Sequence, residues 1–187
     1  MDYPLSAGPL ALGAGARFFA RSVDTLQKQL PEILKRARSH KGTSQVEILQ
    51  NCIVYNDGVF GNITEREVAA DAQLHLVHGE PMIFGQARDK GLRLNPATLG
   101  LEVVTLRQDG IGEADILVHD ETNRNLALML AAMEPPLLPV ALGVIYCDPK
   151  PSYETLVGAQ VAAAAGSGAK GDLKTLLESG HTWRVGD

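Results

Sequence analysis

The chain has 187 residues, with 45% hydrophobic and 21% charged content and a net charge of -5 at pH 7. That length suits one sizeable core, or one core plus an appendage, in an ordinary soluble globular protein. The acidic balance argues against a nucleic-acid-binding face, which needs clustered positive charge.

The cysteine count is two, Cys52 and Cys147, far apart in sequence, which is not the pattern of a disulfide-stapled secreted domain. No apolar run reaches the roughly 18 residues of a membrane span. Met1-Asp2-Tyr3-Pro4-Leu5 lacks the basic segment of a signal peptide. The expected compartment is a reducing cytoplasm, with no membrane partner.

In chain order, Pro9–Ala16 is small and apolar and reads as the end of a buried helix, followed by a strand over Phe18–Val23. Asp24, with Gln27 three residues on, has the form of a capping box opening a helix. Leu26, Leu30, Ile33, Leu34 and Ala37 recur on one helical face, with a break expected at Pro31 and a second piece starting there. Lys35, Arg36, Arg38 and Lys41 then complement the helix dipole at its end, and Gly42 is a stop signal. Gln45–Leu49 alternates like a strand. Strand, helix and strand with short joints form a βαβ unit and so predict a parallel sheet. Ligands of such sheets sit beyond the carboxyl ends of the strands, and Cys52 lies just past one.

Beyond Phe60 a short polar helix is expected over Thr64–Ala72, and extended runs at Leu74–His78, Leu101–Leu106 and Ile116–His119. Asp109-Gly110 marks a turn. Asn123–Met133 reads as a helix stopped by Pro135, Pro136 and Pro139, and Val140–Tyr146 as a last strand. Ser152–Ala165 is helix-like, Gly166–Gly171 reads as a flexible joint, and Asp172–Ser179 as a short helix.

Several constellations have a bland reading and a sharp one. Cys52 alone is a buried inert thiol in most contexts. His75 and His78 with Glu80 suggest a metal pair, but residues three apart in a strand point to opposite faces. Gly13-Ala14-Gly15 precedes a strand where a dinucleotide fingerprint must follow one. Gly166–Gly171 has the length of a phosphate loop, but Asp172 stands where Lys is required.

The stretch His40–Phe60 favours the sharp reading of Cys52. It runs His-Lys-Gly-Thr-Ser-Gln-Val-Glu-Ile-Leu-Gln-Asn-Cys-Ile-Val-Tyr-Asn-Asp-Gly-Val-Phe and closely resembles the β subunit of the 2-oxoacid:ferredoxin oxidoreductases, tightly from Gly42 to Phe60. A looser likeness extends from Pro9 through Val23-Asp24 to Val77-His78-Gly79-Glu80-Pro81 and Phe84-Gly85. The resemblance implies that Cys52 is the last of four ligands to an iron–sulfur cluster, a role suited to a soft thiolate. Cys147 matches nothing in the family's cluster motif. The family's Gly-Asp-Gly and Cys-x-Gly-Cys motifs lie upstream in its members and are absent here, so the chain resembles the C-terminal part of such a subunit.

The expected fold is thus α/β, the C-terminal portion of a thiamine-diphosphate-binding fold with a parallel sheet and βαβ unit, followed by a mixed α+β extension. The expected division is 1–65 for the cofactor-binding portion, 66–165 for the extension and 166–187 for the joint and terminal helix. The implied reaction of the complete enzyme is oxidative decarboxylation of a 2-oxo acid to an acyl-CoA, with electrons passed to ferredoxin and 2-oxoglutarate favoured over pyruvate. Thiamine diphosphate, magnesium and an iron–sulfur cluster serve the complete enzyme, with none expected on this chain alone. The implied partners are an α subunit and ferredoxin. A severed sheet also predicts self-association through its open edge. The alternative is a non-catalytic, stand-alone domain or truncated paralogue that binds a partner subunit.

Overall fold

A computed structural model describes residues 4–167, 171–183 and 185–186. The chain divides into two compact units, Met1–Lys150 and Pro151–Asp187.

The first unit opens with α1 (Ala7–Gly13), β1 (Phe18–Val23), α2 (Gln29–Ser39) and β2 (Ser44–Leu49). β1 and β2 are parallel, with Phe18 opposite Ser44 and Val23 opposite Leu49, so the βαβ unit is present. Phe18, Ala20 and Ile33 pack together on the face that α2 covers. α2 starts at Gln29 and not at Asp24, and Pro31 falls in its first turn, where its missing N–H costs nothing. Asp24 is drawn away from any cap because its carboxylate accepts the Asn51 N–H at 3.1 Å. α1 buries Gly8 and Leu12 and leaves Leu10 in solvent, so it is covered on one side only.

The long strand β7 (Val140–Cys147) completes this sheet from the far end of the unit. It runs antiparallel to β1, with Phe18 opposite Cys147, and parallel to β3 (Gln73–His75). The order is β2-β1-β7-β3, so the expected parallel pairing is present in a sheet that β7 makes mixed, and β1 is an inner strand. A register shift falls between Phe19 and Ala20 of β1. Near it Gly143 has φ +120°, and a Cβ there would stand 3.0 Å from the Leu76 carbonyl oxygen.

The expected helix over Thr64–Ala72 is split into α3 (Gly61–Thr64) and α4 (Ala69–Ala72). Strands β4 (Ile83–Phe84), β5 (Lys90–Leu94) and β6 (Leu101–Thr105) form a second, antiparallel sheet. Ile116–His119 is extended without being a full strand. It makes one bridge, Pro81 with Val118, and exchanges backbone bonds with Glu80, Met82 and Leu92. α5 (Arg124–Ala131) is capped by the Asn123 side chain, which accepts the Leu126 N–H. Its Leu126, Ala127, Leu130 and Ala131 join Leu12, Phe19, Leu74, Leu92 and Ile145 in the main core.

The second unit contains α6 (Tyr153–Ser167) and α7 (Leu173–Glu178). The joint expected at Gly166–Gly171 falls largely outside the described residues. Asp172 caps α7 by accepting the Lys174 and Thr175 N–H groups. Among the described residues no helix is long and apolar enough to cross a membrane.

Candidate functional site

β1 and β2 end side by side, and the chain turns from β2 into the loop that carries Cys52. The Asp24 N–H donates to the Leu49 carbonyl at 3.1 Å, and the Asn51 N–H donates back to the Asp24 carboxylate. Inside the loop the Asn56 N–H donates to the Cys52 carbonyl at 2.9 Å, which makes Cys52 and Asn56 a single bridge. The Asn51 side chain spans the loop, its Nδ2 donating to Asp57 Oδ1 at 2.8 Å while its Oδ1 accepts the Gly58 N–H at 2.9 Å. Gly58 has φ +73°, a conformation that favours glycine.

The loop points its apolar side chains outward. Ile53, Val54 and Tyr55 are 78%, 76% and 91% exposed. The backbone N–H groups of Tyr55 and then Val54 lower the Cys52 thiol below its ordinary pKa. Donors aimed at sulfur favour the thiolate, the form that binds metals.

Cys147 lies elsewhere. It pairs with Phe18 at the opposite end of β1 from Val23, and five strand steps separate the two ends by about 17 Å. Burial and the neighbouring Glu121 carboxylate push its thiol up. Arg36 stands beside it, bound to Glu121 by two hydrogen bonds of 2.7 and 3.1 Å.

The histidines are not brought together as a metal pair. His75 ends β3 and is held in a chain of hydrogen bonds, from Gln29 Nε2 at 3.3 Å on its Nδ1 and to Gln73 Oε1 at 3.1 Å from its Nε2. His78 lies in the following loop, where its Nδ1 accepts the Glu121 N–H at 3.2 Å. Among the described residues no three His, Cys, Asp or Glu side chains come close enough to hold a metal ion.

Beside the carboxyl end of β2 opens a cavity of about 670 Å³, lined among others by Arg21, Glu47, Leu49, Phe60, Ile63 and Met133. Arg21 is buried in the inner strand β1, 2.5 Å from the Glu47 carboxylate, and its Nη2 donates to the Ala131 carbonyl at 2.9 Å. Sequence reasoning places Cys52 just past a strand with a turn after it, as the structure does, but it does not reveal the Asn51 bridge. The Gln50-Asn51 pair was its only trace, and nothing in the spacing ties Asn51 to Asp57 and Gly58.

No family model matches the chain. It is 33% identical to the 2-oxoglutarate oxidoreductase subunit KorB of Mycobacterium tuberculosis over 190 aligned residues, covering 99% of this chain and 50% of that one. A segment of 48 residues, 26% of this chain, is 44% identical to the β subunit of 2-oxoacid:ferredoxin oxidoreductase 1 of Aeropyrum pernix, of which it covers 15%. The same identity and length are found against the β subunit of the Saccharolobus solfataricus enzyme, of which it covers 16%. Among solved structures the chain superposes on the 2-oxoglutarate:ferredoxin oxidoreductase from Magnetococcus marinus, which holds 2-oxoglutarate, coenzyme A and succinyl-CoA. The TM-score is 0.58 at 16% identity, covering 97% of this chain and 46% of that one. That likeness shows the α/β fold. The chain spans about half the length of the curated relative that it matches from end to end, and it is a homologue of the β subunits of the 2-oxoacid:ferredoxin oxidoreductases.

Proposed function

We propose that this chain is the C-terminal half of a 2-oxoacid:ferredoxin oxidoreductase β subunit and contributes Cys52 as one thiolate ligand of an iron–sulfur cluster. The observation that carries the reading is the position of Cys52. It sits on an exposed loop just past the carboxyl ends of two parallel strands, where such sheets hold their ligands. The donor set supports one ligand position and no more: a soft sulfur with backbone N–H groups around it. The remaining ligands belong to residues outside this chain. So do the residues for thiamine diphosphate and magnesium, because the sequence has no Gly-Asp-Gly stretch.

In the complete enzyme the reaction is oxidative decarboxylation of a 2-oxo acid onto coenzyme A. Carbon dioxide is released, an acyl-CoA is formed and an electron pair passes to ferredoxin. A cluster at Cys52 supplies the electron relay. The name of the Mycobacterium tuberculosis relative favours 2-oxoglutarate over pyruvate. An α subunit is the expected permanent partner, ferredoxin the transient one, and the cytoplasm the expected compartment.

The reading is tested on the native assembly, purified anaerobically from cells that make this chain. Iron, acid-labile sulfide and 2-oxoglutarate- and CoA-dependent dye reduction are expected to co-purify with it. Cys52→Ser at the chromosomal locus is expected to remove or alter the cluster. An iron-free assembly, or an unchanged cluster in Cys52→Ser, overturns the proposal.

A further inference from the structure

No residue from 50 to 59 is buried, and only at Phe60 does the chain pack against a core cluster again, so packing does little to set the shape of the loop that carries Cys52. Hydrogen bonds hold it, and three of them meet at one residue. Asn51 commits its backbone N–H to Asp24, its side-chain N–H to Asp57 and its side-chain oxygen to the Gly58 N–H. Asp24 follows β1 and Asn51 follows β2, so the base of the loop is tied to both strands at once. Asp57 and Gly58 lie on the returning leg, so the Asn51 amide acts as a rung between the two legs. Gly58 has open space where a Cβ would stand, and its positive φ supplies the bend that aims its N–H inward. Cys52, Ile53, Val54 and Tyr55 lie between the two legs in sequence, and the last three side chains are exposed.

We propose that Asn51 is the positioning residue for Cys52: its amide holds the loop closed so that the sulfur meets its bound group in one orientation. The inference rests on the reading of Cys52 as a cluster ligand. Metal–thiolate bonds are directional, and groups behind the ligand fix its orientation and tune the metal. An amide suits this rung because one end donates while the other accepts. An ionised carboxylate at position 51 offers acceptors only and would face Asp57, and alanine offers neither group.

The test uses Asn51→Ala, Asn51→Asp and the double variant Asn51→Asp/Asp57→Asn, in which donor and acceptor exchange places. In the chain itself, hydrogen exchange at the Gly58 amide is expected to speed up about fivefold in Asn51→Ala, the loss of one hydrogen bond. The double variant should slow it again. In the native assembly the midpoint potential and the electron paramagnetic resonance spectrum of the reduced cluster are expected to change in both single variants and to recover in the double variant. The melting temperature reads a purely structural effect separately. If a single variant does not fold, recovery of potential and spectrum in the double variant carries the test. An unchanged potential and spectrum in the single variants, or no recovery in a folded double variant, overturns the positioning role. Cys52→Ser separates the two claims. If it leaves iron content and spectrum intact, the ligand reading itself fails. If it disturbs them while the Asn51 variants do not, only the positioning role fails.

Discussion

The two cysteines have opposite surroundings. Cys52 is lowered by the Tyr55 and Val54 N–H groups on an exposed loop, whereas Cys147 is raised by burial and by Glu121. Iodoacetamide near neutral pH is therefore expected to label Cys52 first. Peptide mass spectrometry of a time course checks this, and preferential labelling of Cys147 would contradict it. Burial likewise lowers the pKa values of His75 and His119 below the ordinary 6.5. His119 donates through Nε2 to the Val144 carbonyl at 2.9 Å, and its buried Nδ1 has no hydrogen-bond partner. A depressed histidine pKa means that the unfolded chain binds a proton that the fold refuses. Stability from these groups is therefore fully present above about pH 6.5 and is lost as the pH falls through and below it. The urea midpoint is expected to drop between pH 7.5 and 5.5, and His75→Gln should flatten that slope. An equally steep slope in the variant would count against the assignment.

Elements differ in how far the sequence reveals them. The βαβ unit was legible because alternation, a helical apolar face and the Gly42 stop are local signals. The pairing of β7 with β1 was not, since nothing local tells a strand which partner lies more than a hundred residues away. The same limit explains Asp24, which does not cap α2 and whose carboxylate is taken by Asn51 in the loop after the next strand. The position of Cys52 beyond a strand end could be read, and the hydrogen bonds that shape its loop could not. Buried Arg21 was invisible for the reason that hid β7: its partners Glu47 and Ala131 come from other elements. Glu47→Ala removes the carboxylate that neutralises this buried guanidinium and leaves it only the Ala131 carbonyl, at an expected cost of about 3 kcal/mol. Lys35→Ala breaks an exposed pair with Glu32 and should cost at most about 0.5 kcal/mol. Gly143→Ala forces a side chain into a positive-φ position against the Leu76 backbone, with an expected loss of about 2 kcal/mol. Denaturant melts of the three variants rank them, and equal losses for Glu47→Ala and Lys35→Ala would refute the buried-pair account.

At the scale of the molecule, the three core clusters draw only on residues of the first unit. A chain ending at Lys150 is expected to fold with a cooperative melt close to that of the full chain. The second unit exposes Leu173, Leu176 and Leu177 on α7, with Trp183 beyond it, and the first exposes Ile53, Val54 and Tyr55. β2 stands at one end of the sheet order, next to β1 alone, and its Ile48 is exposed. Open edges and apolar patches of this kind favour association. The isolated chain is expected to be a dimer or larger in sedimentation across a dilution series. A monomer at high concentration that binds no apolar dye would show that these surfaces need no partner.

The inner place of β1 also sets an order of events. Its partner β2 lies 26 residues away by register, while Phe18 meets Cys147 across 129 residues. During synthesis β2 follows β1 closely, but the other side of β1 stays bare until β7, at the far end of the first unit, has left the ribosome. Pairings this distant close slowly, because the intervening chain must be ordered first. The buried strand β1 therefore passes through a period half-paired, the interval in which chaperones and aggregation compete for it.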